Sequence, residues 1–124
     1  MTTVRSSRAR SFLAGVLVGN SAPHLASAVT GRRHLTPLAG RGSGPAVNGL
    51  WGLLNLGAGL LLLPPDAERG AGTWDDDLVA FETGVLTLGA WMAVTERVLG
   101  TNTRPVVAEL DPRHVPGRGA GAAG

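Results

Sequence analysis

Three long blocks of this chain carry almost no charge, and that feature limits its fold more than any other. No Asp, Glu, Lys or Arg occurs from Ser11 to Gly31 or from Gly42 to Pro65. From Leu78 to Thr95 the one charged residue is Glu82. A water-soluble core interleaves polar and apolar positions at helical or strand period, so that each element has a wet face. These blocks have no such face. A helix crossing a hydrocarbon layer about 30 Å thick needs about 20 mainly apolar residues. The sequence therefore predicts an all-α integral membrane protein with three transmembrane helices, over about 11–30, 46–63 and 78–99. Membrane strands alternate apolar and polar residues over about ten positions, and LWGLLNLGAGLLLL (50–63) does not.

The flanks mark the ends of these spans. MTTVRSSRAR (1–10) is a polar flank with Arg5, Arg8 and Arg10, and GRRHLTPLAGRGSGP (31–45) is a loop punctuated by Gly and Pro. Pro64 and Pro65 cannot continue the second helix. An acidic loop, 64–77, ends in Asp75, Asp76 and Asp77, which suit the cap and positive dipole end of the third helix. The expected organisation is one three-helix domain, 1–99, followed by a disordered tail, 100–124, with three Pro and the ending GRGAGAAG. In this layout Trp51 and Trp91 lie toward one interface and Trp74 at the other, in the manner of aromatic belts.

Charge fits the same picture. Eleven Arg, no Lys and nine acidic residues give a net charge of +2, and the arginines sit in flanks and loops. No basic helical face with interleaved aromatics is present, so no nucleic-acid partner is expected. The side bearing the amino tail and the 64–77 loop holds Arg5, Arg8, Arg10 and Arg69. The other side holds Arg32, Arg33, Arg41, Arg97, Arg104, Arg113 and Arg118, which leans toward a cytoplasmic carboxyl terminus. The chain has no Cys, which excludes disulfides, thiolate metal sites and cysteine nucleophiles. All-Arg usage with abundant Ala and Gly points to a high-GC bacterial genome.

Polar groups inside the spans are the candidate site residues. In the first span Gly15 and Gly19 form GxxxG, and Ala22 and Ala26 extend the small face on which a second helix can pack closely. Pro23 opposes the carbonyl of Gly19, so a kink is expected there, with Asn20 or Ser21 supplying the missing donor. His24 is the ionisable residue of that block; a packing or interfacial role is favoured, ahead of proton relay or ligand contact and then of metal binding. In the second span Asn48, Gly52, Asn55 and Gly59 recur at intervals of four, three and four, a stripe expected to face other helices. The alternative is a polar pore lining, which needs an oligomer. Glu82, about one turn inside the third span, is expected to pair with Arg10 or reach headgroup water; a titrating proton carrier is the alternative. Glu96 and Arg97 mark the opposite interface as solvated charges. His24, His34 and His114 have no metal-ligand spacing. No catalytic constellation or phosphate-binding loop is present, so neither an enzyme nor a cofactor is expected.

The amino end also fits a secretory signal: RSSRAR, then FLAGVLVG, then Ala26-Ser27-Ala28 as a cleavage pattern. Cleavage after Ala28 would leave an exported protein with two spans. A resemblance bears on this choice. Asn20, Pro23 and His24, then Gly31, Thr36, Pro37 and Leu38, then Asn48, Trp51, Gly52, Asn55 and Leu56, match a pattern over about residues 12–63. It resembles a family of small uncharacterised bacterial integral membrane proteins with an N-G-x-P-H first span and an N-x-x-W-G-x-x-N-L second span. Ser21 stands where that family has Gly, and Leu38 where Phe is usual. The resemblance implies a retained first helix and a multi-pass protein of the bacterial plasma (inner) membrane, and implies no activity. The expectation is a small membrane protein whose polar and small residues pack helices within the chain or against a partner subunit, in a homo-oligomer or with another membrane protein. The alternative is a small transporter or channel component using Asn20, His24, Asn48, Asn55 and Glu82.

Overall fold

A computed structural model describes residues 2–63 and 76–102. It contains three helices, α1 (Thr2–Val29), α2 (Pro45–Leu62) and α3 (Asp76–Leu99). All three are long and apolar enough to cross a membrane. Among the described residues there is no strand, only one isolated bridge between Thr36 and Gly40. The tail expected to be disordered from residue 100 is ordered over its first three residues: Gly100, Thr101 and Asn102 form a turn bonded to Glu96 and to the α1–α2 loop. Residues 103–124, Arg69 and Trp74 lie outside the described residues.

The first helix begins nine residues before the expected Ser11. Nothing in TTVRSSRAR breaks a helix, and the apolar block behind it supplies a nucleus to extend from. At 28 residues α1 is about 42 Å long, and its apolar part is Ser7–Val29. Pro23 lies inside this one continuous helix. The Ser21 hydroxyl donates to Val18 O at 2.6 Å and the Asn20 amide donates to Asn55, so neither side chain goes to the Gly19 carbonyl. The helix ends where Gly31 takes φ 69°, which lets the Arg32 N–H reach back to Ser27 O at 2.9 Å. Gly100, at φ 58°, closes α3 in the same spirit, its N–H bonding Glu96 O at 2.8 Å. Pro45 opens α2, where its missing N–H costs nothing. Asp76 and Asp77 open α3 and Arg97 lies in its last turn, each sign matching the helix dipole.

α1 is the central helix: α2 and α3 both pack on it and not on one another. Small residues set both crossings. Gly15 and Gly84 bring α1 and α3 into backbone contact; a Cβ on Gly15 would collide with the Phe81 carbonyl and one on Gly84 with the Phe12 carbonyl. Gly19 continues this seam against Val85 and Leu88. On the other side, a Cβ on Gly52 would lie 2.8 Å from Leu25 and one on Gly59 2.7 Å from Val18. Ala22 and Ala26, expected on the small face of α1, are exposed.

Burial is inverted relative to a water-soluble fold. Ser11, Ser21, His24, Ser27, Asn48 and Asn55 are buried within the helix assembly, and Ala14 is the one buried hydrophobic residue among those described. Leu53, Leu61, Leu86 and Val98 point outward, each more than 60% exposed.

Candidate functional site

The polar residues of α1 and α2 meet each other. Asn48 is fully buried. Its Nδ2 donates to Ser43 O at 2.7 Å, Gly44 O at 3.0 Å and His34 O at 3.3 Å. With carbonyls on that side, the amide oxygen must point the other way, toward His24 Nδ1 at 2.8 Å. An amide oxygen only accepts, so His24 Nδ1 carries the proton and donates. One turn further along α1 and two along α2, Asn20 Nδ2 donates to Asn55 Oδ1 at 3.1 Å, and Asn55 Nδ2 donates to Trp51 O at 2.8 Å. Asn20, His24, Asn48 and Asn55 thus form two side-chain bridges between α1 and α2, with Gly52 and Gly59 allowing the close approach.

The α1–α2 loop folds over this seam. His34 N donates to Ser43 O at 3.2 Å, and Thr36 and Gly40 exchange two backbone bonds. Buried Thr36 and Ser43 join their hydroxyls at 2.8 Å, and Ser43 Oγ donates to Gly40 O at 2.7 Å. The loop is also tied to the end of α3. Leu35 N donates to Asn102 Oδ1 at 2.8 Å, and Arg41 donates to the carbonyls of Gly100 and Thr101, each at 3.3 Å. Glu96, expected as a solvated charge, instead accepts from Thr101 Oγ1 at 2.8 Å and from Asn102 N at 3.1 Å, which shapes the turn after α3.

Because α2 and α3 do not touch, a cleft of about 720 Å³ opens between them at this end. Asn20 and His24 of α1 form its floor. Trp51 of α2 faces Leu88, Trp91 and Met92 of α3 across it, and His34, Leu35 and Thr36 form its roof. The His34 ring stands edge-on to the His24 ring, with centroids 4.9 Å apart and an interplanar angle of 85°. Burial lowers the pKa of His34 below its ordinary value and the neighbouring His24 adds to this, while Glu96 acts in the opposite direction.

Glu82 is elsewhere. It is exposed on α3, next to Phe81 and Gly84, which contact α1 near Phe12 and Gly15. His24 is nine residues further along α1, about 14 Å by helical rise. The expected Arg10–Glu82 pair is not formed; Arg8 pairs with Asp76 instead, and Ser7 Oγ donates to Asp77 Oδ2 at 2.7 Å. Extension of α1 through the arginine flank explains the change, since it carries Arg8 to the first turn of α3.

Sequence reasoning missed His34 and Glu96 as lining residues. Spacing alone holds no signal for His34, because the closure of a loop brings it to His24. Among the described residues no group of three or more His, Asp or Glu could hold a metal ion. Comparison with protein families, curated proteins and solved structures finds no match to this chain, so the functional reading rests on the residues and their geometry.

Proposed function

We propose that this chain is a three-pass integral protein of the bacterial plasma membrane that binds a small molecule in the α2–α3 cleft and has no catalytic activity of its own. Inverted burial carries the membrane reading. Polar side chains are inside and, the Ser11 hydroxyl apart, bonded, while large apolar ones face outward, as a bilayer requires and water does not. The resemblance to small bacterial membrane proteins supports the same placement. Asn48 and Asn55 turn to α1 with their amides bonded, which favours helix packing over a pore lining. The cleft lies within the usual 300–1,000 Å³ range of ligand sites. Apolar side chains supply most of its lining surface, and polar groups from α1, α3 and the loop converge on it, as in such sites generally.

A retained first helix is part of this reading. α2 and α3 rest on α1 alone, so a cut after Ala28 would remove the surface both need. The arginine distribution supports a cytoplasmic position for the 31–45 loop and the cleft mouth.

Intact-mass measurement on alkali-washed membranes tests the placement and the first helix together. The expected product is the membrane-retained chain of 12.6 kDa. A soluble product, or one beginning at Val29, overturns the reading. The chain has no Cys, so Ala39→Cys gives a single thiol in the loop. It should resist a membrane-impermeant maleimide in intact cells; rapid labelling there reverses the orientation.

A further inference from the structure

We propose that the cleft takes an amphiphile with a hydroxyl headgroup, drawn sideways from the bilayer, its hydroxyl seated at His24 and His34 and its apolar chain lying between α2 and α3. This rests on reading the chain as a membrane protein with a binding cleft.

The hydrogen-bonding character of the floor follows from Asn48. Its amide is oriented by the carbonyls of Ser43, Gly44 and His34, so its oxygen accepts from His24 Nδ1. A neutral imidazole has one N–H. His24 has committed its N–H to Asn48, which leaves Nε2 as an acceptor on a ring that lines the cleft. The His34 side chain has no hydrogen-bond partner among the described residues and lines the same space. A neutral His34 ring presents one donor and one acceptor. With the rings 4.9 Å apart, one small group can address both.

A hydroxyl donates and accepts through one atom, so it answers His24 Nε2 and the His34 N–H together. Anionic headgroups fit poorly: no Arg or Lys is among the described lining residues, and a lone pair on His24 repels them. Glu96, the carboxylate at the rim, already accepts from Thr101 and Asn102 in shaping the turn after α3.

The route and the apolar half follow from the helix arrangement. α2 and α3 leave a gap over α1, so the cleft opens sideways, where a bilayer would supply the ligand. Trp51, Leu88, Trp91 and Met92 give the chain of an amphiphile apolar walls. The polar roof stands at the helix ends, where a headgroup lies in a membrane.

The full chain in phosphatidylcholine nanodiscs tests this with two probes, 6-bromohexan-1-ol and its methyl ether, whose short chain keeps the bromine beside the indoles of the cleft. Bromine quenches nearby indoles, and Trp51 and Trp91 wall the cleft. The alcohol should quench saturably, with the ether about tenfold weaker because it leaves His24 Nε2 without a donor. His24→Phe removes the acceptor that only the alcohol can answer and should erase its advantage, whereas His34→Phe removes a donor that either oxygen can accept from and should weaken both probes. Saturable quenching of equal strength by both probes overturns the hydroxyl inference and leaves the binding cleft standing. Quenching that rises without saturation for both, as plain partitioning would give, overturns the inference and the binding reading together.

Discussion

Replacing Asn48 with Ala removes the amide at the point where α1, α2 and their loop converge. The consequence follows bond by bond. Ser43 O keeps the His34 N–H as a partner, and Gly44 O keeps the Asn48 backbone N–H, so these two carbonyls stay satisfied. The losses fall on His24 Nδ1–H, bonded at 2.8 Å, and on the His34 carbonyl, bonded at 3.3 Å. A buried donor left unpaired costs about 1–3 kcal/mol. Side-chain bonds between membrane helices average about 0.6 and reach about 1.7 kcal/mol. Asn48 has no exposed surface and its amide is fully engaged, so it belongs at the upper end. Adding the weaker carbonyl loss gives about 2 kcal/mol.

Asn55→Ala deletes the same atoms but unpairs only the partly buried Asn20 amide across the interface, and about 1 kcal/mol or less is expected. The difference between the two variants removes the common volume change to first order. Titration with a denaturing detergent from mixed micelles, followed by tryptophan fluorescence and helicity, gives both values. A His24→Leu cycle with Asn48→Ala should show coupling of at least about 0.5 kcal/mol. Asn48→Ala no worse than Asn55→Ala, or zero coupling to His24, refutes the assigned bonding.

Two other predictions concern the α1–α3 crossing and the loop. Gly84→Ala should destabilise by about 1–3 kcal/mol, because its Cβ collides with the Phe12 backbone and the helices must separate. Gly89→Ala on the same helix meets nothing within 4 Å and should be neutral or slightly stabilising in the same titration. Since the pKa of His34 is lowered in the folded state, chiefly by burial, folding favours the neutral ring. The stability tied to it is present above the unfolded value near 6.5 and is lost as pH falls through the lower folded value. Detergent-unfolding midpoints should therefore drop between pH 7 and 5, and His34→Gln should flatten that dependence. An unchanged profile contradicts the placement of His34 against His24.

Which segments become long apolar helices was legible from the residues alone, because span length and apolarity are local properties. Eighteen uncharged, mainly apolar residues from Pro45 to Leu62 form α2 whatever its neighbours are, and Pro64 with Pro65 marks its end. Gly31 as the stop of α1 was equally local, since it rests on one residue's access to positive φ. The Asn48/Gly52/Asn55/Gly59 stripe could be placed on one face by counting, but counting does not say which helix it meets. Tertiary structure decided that α1 is central, that Gly84 is the counterpart of Gly15, and that Arg8 rather than Arg10 reaches α3. It also brought His34, ten residues beyond His24, back onto that ring. Each of these depends on the relative position of segments far apart in the chain. Backbone approach and hydrogen bonding fix that position, and neither is written into the composition of any one segment.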